Sequence, residues 1–317
     1  MKQKFIVIIL LSVLFYHYEN NKISPKIVPS VTPIPYTPII VTPKAPIIED
    51  YTLGYQNYNE IVNMVKNWEK ESPLLIETGY YGKTSKNNDC FYFKISNENN
   101  KIKYKTLITA CIHGNEPWST STIMSYAGWI VSNYGKNDII THIIDNTEIY
   151  FIPVVSPDSY PFSRSVDGVD PNRNFPTISN PDKKSVPPVQ NLKNFFLKIK
   201  PNSILSGHTY GRLYLVPWGD NMSVNPNEQD YKRVASKMGE LSRYKWMKAS
   251  QIYNSPIIGA ECDWYHRNGS FAMVIEFGTH QRKPSENDTE IEFERTKEAF
   301  LFFIQESVKI NIVNNYF

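Results

Sequence analysis

The sequence predicts a single α/β domain in which helices flank a mixed, largely buried central sheet. From about residue 50 onward, apolar residues alternate between the spacing of helices and the spacing of strands. Segments of both kinds follow one another along the chain, as in domains built around a partly parallel sheet. The chain has 317 residues, 41% of them hydrophobic, which is enough apolar material for one large core.

The elements of this domain are predicted in chain order from spacing and residue type. Short apolar runs rich in β-branched and aromatic residues predict strands over 90–96, 104–112, 147–155, 202–211 and 271–278. Apolar residues at helical spacing predict helices over 58–71, 117–134 and 292–310. Pro117 suits the first position of the second helix, where a missing N–H costs nothing.

The residues before this domain predict an export signal and a spacer. Lys2 and Lys4 precede an apolar run that is shorter than the roughly 20 residues of a membrane span, so we expect a signal peptide over 1–22. No small-x-small cleavage site follows, which leaves an uncleaved signal anchor as the alternative. Frequent prolines over 23–49 predict an extended linker. We therefore expect a protein that is secreted, or anchored outside the cytoplasm.

Charge and cysteine content exclude some classes of protein. A net charge of +3 spread over 317 residues does not indicate a nucleic-acid partner. Three cysteines, Cys90, Cys111 and Cys262, are too few for a disulfide scaffold, which leaves one bridge or three buried thiols as alternatives.

Three polar side chains at strand ends predict a zinc site. His113 and Glu116 follow the strand over 104–112, with Gly114 at the tight bend between them, and His208 lies near the end of the strand over 202–211. Catalytic zinc is typically held by three such ligands, with water in the fourth position. Glu276 lies inside a third apolar segment, the strand over 271–278, where a buried carboxylate is costly unless a cation is near.

Five further blocks occur in a characteristic order: SPDSYPFSRS, GVDPNRNFP, GHTYGRLYLVPWG, QIYNSPIIGAECDW and VIEFG. With these blocks, the chain from about residue 52 to 305 resembles the zinc metallocarboxypeptidases of the carboxypeptidase A type. The resemblance implies a catalytic domain over 50–310 with the zinc carboxypeptidase fold, and one Zn²⁺ per chain. It also implies hydrolysis of the C-terminal peptide bond of peptides or proteins.

The resemblance also implies roles in catalysis. His113, Glu116 and His208 match the zinc ligands, and Glu276 matches the glutamate that acts as general base on the activated water. Arg164 matches the arginine that stabilises the oxyanion. Asp170 matches the carboxylate that lies behind the first histidine ligand.

A second group of residues is implied to bind the substrate. Asn172 and Arg173 match the pair that grips its C-terminal carboxylate, and an arginine suits a planar carboxylate because it binds with two parallel bonds. The alternatives are a surface salt bridge for Arg173 and a turn cap for Asn172. Tyr253 matches a mobile tyrosine that closes over the substrate, and Tyr210 matches a residue of the adjoining subsite.

Cys262 matches the position that selects the substrate side chain in the family, where members that remove basic residues carry aspartate. Leu215, Gly219 and Val274 match other uncharged positions of that pocket, so we expect a neutral or apolar C-terminal residue. Glu261 leaves the opposite preference open, because two extra residues before Cys262 would allow this carboxylate to turn into the pocket.

Three functions compete on this sequence. The first is a carboxypeptidase that acts on peptide C-termini. The second is a zinc peptidase or amidase that acts on cell-wall stem peptides, because Asn115 stands where digestive relatives carry arginine and the HGNE loop is closer to microbial branches. The third is a binding protein without activity on the same scaffold, which would lack ligands or the base. A monomer is expected, and a membrane is contacted only through an N-terminal anchor.

Overall fold

One mixed sheet of eight strands lies at the centre of the computed structural model, which describes residues 43–46, 48, 54–98, 103–221, 223–252, 255–279, 285 and 288–313. The strands are β1 (Ile76–Lys83), β2 (Asp89–Ile95), β3 (Tyr104–Ala110), β4 (Thr147–Ile152), β5 (Ser203–Thr209), β6 (Leu213–Val216), β7 (Lys245–Lys248) and β8 (Phe271–Phe277). Their order in the sheet is β1-β2-β4-β3-β5-β8-β6-β7. β4, β3, β5 and β8 run parallel to one another. β1 pairs antiparallel with β2, β2 with β4, and β6 with β8, whereas β7 pairs parallel with β6.

Seven α-helices are described around this sheet. They are α1 (Tyr58–Glu71), α2 (Pro117–Ser132), α3 (Asp138–Asn146), α4 (Pro187–Ile199), α5 (Glu228–Ser242), α6 (Glu261–Arg267) and α7 (Asp288–Ser307). Local sequence explains where α1 begins. The Asn57 side chain accepts a hydrogen bond from the Glu60 N–H, and the Glu60 carboxylate accepts one from the Asn57 N–H, which forms a capping box.

The sheet is covered on both faces, as a largely parallel sheet requires. Successive residues of its central strands enter different apolar clusters. Leu107 and Ile204 pack with α4 and α6 on one face, and Ile108 and Leu205 pack with α2 and α7 on the other. The predicted α/β fold, with a mixed and buried sheet between helices, is therefore confirmed.

The predicted elements are present with small changes at their ends. Helix α1 has the predicted bounds, and α2 begins at Pro117 as expected. The strand predicted over 104–112 ends at Ala110, because Cys111 has a positive φ of 50° that turns the chain into the next loop. The strand β1 is not predicted, because it lies at the edge of the sheet and all but one of its residues are partly buried or exposed, so that no apolar run marks it.

Parallel neighbours bring the predicted site residues to one edge of the sheet. Ala110 pairs with Gly207 across β3 and β5, and His208 pairs with Glu276 across β5 and β8. The carboxyl ends of β3, β5 and β8 therefore lie side by side, where open α/β sheets usually bind ligands.

The three cysteines are buried and unpaired, so the alternative of three free thiols is the correct one. Among the described helices, none is long and apolar enough to cross a membrane. The segment 1–22 and most of the linker 23–49 lie outside the described residues, so the leader and the spacer stay predictions.

Candidate metal centre and substrate cleft

The first two predicted ligands lie on a loop between β3 and α2. His113 follows the turn at Cys111, and Glu116 immediately precedes Pro117, which starts the helix. The loop packs closely against the chain near Ser159. A Cβ added to Gly114 would lie 2.4 Å from the backbone carbonyl carbon of Ser159, so a residue with a side chain does not fit there.

The three predicted ligands converge. His113 Nδ1 lies 2.9 Å from Glu116 Oε1, and His208 Nδ1 lies 3.0 Å from Glu116 Oε2. One ligand atom from each residue lies within 4.8 Å of the others, and all three residues are buried. Two imidazole nitrogens and a carboxylate are the donors that catalytic zinc sites use, so these residues fit a zinc ion.

The outer ring nitrogens of both histidines contact carboxylates. His113 Nε2 lies 3.0 Å from Asp170 Oδ1, and His208 Nε2 lies 2.8 Å from Glu261 Oε1. A proton on Nε2 is therefore favoured in both rings, because an ionised carboxylate only accepts hydrogen bonds. That tautomer leaves the lone pair of each Nδ1 available for a metal.

The charges in this cluster favour a cation at its centre. Burial by itself would raise the pKa of Glu116, but His208 and His113 outweigh it and lower the pKa to about 2. Burial would likewise lower the pKa of His208, but the carboxylates of Glu116 and Glu261 outweigh it and raise the pKa well above its usual range. The carboxylates around the rings thus stabilise positive charge, which a proton or a metal ion supplies.

The predicted general base lies beside the ligands. Glu276, near the end of β8, lines the same cavity as His113 and His208. Burial raises its pKa to about 7, opposed by the charge of His208 and reinforced by the carboxylate of Glu116. A carboxylate whose pKa lies near neutrality is suited to take up and return a proton.

Three predicted polar residues line the cavity with the ligands. Arg164 donates two hydrogen bonds to Asp170 Oδ2, of 3.1 Å from Nε and 2.9 Å from Nη2, and its Nη1 lies 3.7 Å from Glu116. The Asn172 side-chain oxygen accepts a hydrogen bond of 2.9 Å from the Glu261 N–H. Arg173 Nη1 donates to the carbonyl oxygen of Asn172 at 2.7 Å, so the two neighbours are held together.

The cavity beside these groups has a volume of about 560 Å³, and about half of its lining residues form an apolar wall. Its uncharged lining includes Leu213, Leu215, Met247, Ala249, Ile252, Ile257, Ala260, Cys262 and Val274. Tyr210 also lines it and is exposed. Gly219 is outside this lining and donates its N–H to Asp263. Tyr253 lies outside the described residues, so its role stays a prediction.

Glu261 does not face the pocket, a placement that the sequence left open as an alternative. Its side chain is fully buried against His208, and it is not among the residues that line the cavity. The sequence carried no signal for this contact, because 53 positions separate the two residues.

Two other histidines of the described residues do not line the cavity. His266 is buried beside Trp218 and accepts or donates a hydrogen bond with the Tyr231 hydroxyl. His142 is exposed on α3. His280 lies outside the described residues.

Comparisons with known proteins point to one family. The profile of the family described as "Zinc carboxypeptidase" matches residues 61–316. Mast cell carboxypeptidase A of Rattus norvegicus is 26% identical over 260 residues, which cover 68% of this chain and 61% of that protein. Carboxypeptidase O of Bos taurus is 23% identical over 298 residues, which cover 80% of each chain. The chain thus spans about three fifths of the length of the first of these relatives.

Solved structures share the fold. The crystal structure of thrombin activatable fibrinolysis inhibitor has a TM-score of 0.71 and 19% identity, and the match covers 80% of this chain and 75% of that one. Murein-tripeptide amidase from Escherichia coli O157 has a TM-score of 0.50 and 15% identity, and the match covers 71% and 91% of the two chains. At these identities the similarity supports the fold alone.

Proposed function

Because this chain belongs to the zinc carboxypeptidase family, as the resemblance of its motifs predicted, we propose that it is a zinc-dependent metallocarboxypeptidase. It removes the last residue of peptides or proteins. The observation that carries this proposal is the convergence of His113, Glu116 and His208 in one cavity with Glu276 and Arg173. A metal site, a base and a group that binds carboxylates are the parts that this reaction needs.

His113, Glu116 and His208 hold one Zn²⁺ per chain in this proposal. A bound zinc ion supplies Lewis acidity, which makes water more acidic and polarises the scissile carbonyl. Asp170 and Glu261 keep the two imidazoles in the tautomer that presents Nδ1 inward.

Glu276 moves the proton. It takes a proton from the attacking water and returns it to the nitrogen of the leaving amino acid, a task worth roughly 10²–10⁴ in rate. Its pKa of about 7 matches both halves of that task. Arg164 directs its positive charge toward the carbonyl oxygen on which negative charge develops. Asp170 orients the guanidinium of Arg164 by accepting its hydrogen bonds. Arg164 gives up part of this contact when it turns toward the carbonyl oxygen.

Asn172 and Arg173 restrict the reaction to chain ends. A guanidinium with parallel N–H groups binds a terminal carboxylate with two hydrogen bonds. The hydrogen bonds from the Glu261 N–H to Asn172 and from Arg173 to the Asn172 carbonyl hold both side chains in place before substrate arrives. A substrate whose C-terminus is amidated lacks the charge that this pair recognises.

The lining of the cavity supports a preference for neutral or apolar C-terminal residues. Leu215 and Val274 face each other across β6 and β8, and Cys262 contributes its thiol to the same wall. The carboxylates among the described lining residues, Glu116 and Glu276, belong to the metal centre. Since Glu261 contacts His208, it offers no charge to a lysine or arginine side chain in this pocket.

Matched pairs of blocked dipeptides test the proposal. Each pair ends in leucine with a free or an amidated C-terminus, and each is assayed with zinc or with a chelator. We expect cleavage only of the free acid, loss of activity with the chelator, and recovery when zinc is added back. Equal cleavage of the amide would reject the carboxypeptidase assignment, and activity that is indifferent to the chelator would reject the metal site.

A second candidate is a peptidase or amidase for cell-wall stem peptides. It is supported by the HGNE loop with Asn115 and by the fold shared with murein-tripeptide amidase. Muropeptides added to the same assay distinguish the two, because turnover of muropeptides alone would favour this candidate. The assembled ligands and base give no support to a binding protein without activity.

The N-terminal residues also indicate where the enzyme acts. A charged and then apolar N-terminus is typical of export, so we propose that the enzyme acts outside the cytoplasm, either secreted or anchored at the membrane. Detection of the mature N-terminus in culture medium or membranes of the expressing cell tests it.

A further inference from the structure

We propose that Glu261 is a positioning residue of the metal centre, which orients His208 and increases the affinity of the site for zinc. This inference rests on the proposed function, in which His208 is a metal ligand. It gives Glu261 a role at the metal site and not in the selection of the substrate side chain. The sequence left the second role open, because Glu261 directly precedes Cys262.

The contacts of His208 carry the inference. Its Nδ1 faces Glu116 at 3.0 Å, and its Nε2, on the opposite side of the ring, lies 2.8 Å from Glu261 Oε1. The ring therefore lies between two carboxylates. Glu116 is on the side where zinc binds in the proposed function, and Glu261 is on the opposite side of the ring. A carboxylate behind a histidine ligand fixes the ring orientation and makes the imidazole a stronger donor to the metal.

Burial makes this contact strong and costly to lose. The Glu261 side chain is fully buried, and that of His208 is 3% exposed, so water does not replace either partner. The second oxygen of Glu261 accepts a longer hydrogen bond of 3.3 Å from the Tyr265 hydroxyl. The principal partner of this buried charge is thus the imidazole, and a buried charge is retained only where it is compensated.

The two histidine ligands are supported in the same manner. Asp170 lies behind His113 at 3.0 Å, as Glu261 lies behind His208 at 2.8 Å. Asn172 connects the two supports, because its N–H donates to Asp170 and its side-chain oxygen accepts from the Glu261 N–H. The bond to the Asn172 side chain comes from the backbone N–H of Glu261. A change of the Glu261 side chain therefore leaves Asn172, which binds the substrate carboxylate, in place.

The test compares zinc affinity in the wild-type protein, Glu261→Gln and Tyr265→Phe, measured by competition with a chromophoric chelator at one pH. Glu261→Gln keeps the shape and an acceptor but removes the charge, and we expect zinc to bind roughly 10- to 100-fold more weakly. Tyr265→Phe removes the other hydrogen bond of the same carboxylate and is the matched control, with zinc affinity close to wild type. Thermal melting of the metal-free variants shows that each is folded.

Two more measurements separate positioning from a general structural effect. In zinc-loaded protein, the proton on His208 Nε2 is expected to resonate far downfield because of its bond to a carboxylate, and to move upfield in Glu261→Gln. With saturating zinc, the variant should keep the KM of the wild type, because Asn172 and Arg173 are unchanged.

The outcomes are distinct. If the wild type binds zinc and folded Glu261→Gln binds it equally well, the role of Glu261 is refuted while the metal site stands. A loss of affinity in Tyr265→Phe as large as that in Glu261→Gln would also refute it. If the wild type takes up no zinc, the proposed function and this inference fail together.

Discussion

The apolar wall of the cavity predicts how the rate depends on the last residue of the substrate. The perturbation is the replacement of a C-terminal leucine by alanine in an otherwise identical blocked dipeptide. Leucine has three more carbon atoms to bury against Leu215, Val274 and their neighbours. At about 0.8 kcal/mol for each buried methylene, the difference is about 2.4 kcal/mol, which corresponds to roughly 50-fold in kcat/KM.

The assay is the initial rate of amino acid release at saturating zinc, with substrate well below KM. Both substrates present the same terminal carboxylate to Arg173, so the ratio of their kcat/KM values reports the side-chain pocket alone. A ratio smaller than about fivefold would show that the leucine side chain is not buried in this cavity, and would refute the assignment of its wall.

A charged substrate tests the same wall in the opposite direction. A C-terminal lysine meets no carboxylate outside the metal centre among the described residues of the lining, so we expect it to be cleaved far more slowly than leucine. The variant Cys262→Asp supplies a partner for the ammonium group. It should raise kcat/KM for lysine relative to leucine by roughly 10- to 100-fold, and Cys262→Ser, of similar size and uncharged, should not. An equal change in both variants would contradict the reasoning.

Three further predictions concern other parts of the molecule. Glu276→Gln should retain zinc by elemental analysis but lose roughly 10²–10⁴ in kcat, and near-normal turnover would reject the base assignment. Arg173→Lys keeps the charge but not the paired N–H groups, so KM for free-acid dipeptides should rise about tenfold or more, whereas an unchanged KM would argue against the clamp. Burial, reinforced by Arg267, lowers the pKa of His266 from 6.5 to about 4. Because this pKa is depressed in the folded state, the neutral ring contributes stability that is present above pH 6.5 and is lost as the pH falls toward 4. The loss reaches up to about 3 kcal/mol. Denaturant unfolding of the metal-free protein from pH 7 to 4 should show a smaller acid loss in His266→Gln than in the wild type, and parallel curves would contradict the shift.

Local pattern and ordered motifs in the sequence were sufficient to predict part of the site. The apolar run before His113 predicted a strand that ends there, and the spacing to Glu116 placed two ligands on one loop. The order of the later blocks then assigned His208 and Glu276 through family resemblance. The structure brings these residues into one cavity. Strand ends and short loops are encoded by neighbouring residues, and parallel strands bring their carboxyl ends to one edge.

The neighbours that lie behind and beside those residues could be identified only in the folded protein. Nothing near Glu261 in the chain distinguishes a carboxylate that turns into the pocket from one that supports His208. The answer depends on how the start of α6, which carries Glu261, is placed against β5, which carries His208. These two residues are 53 positions apart along the chain. The apolar wall of the cavity is likewise a product of packing. Contacts of this kind arise between distant segments, so their direction is set by the assembled sheet and helices and not by local propensity.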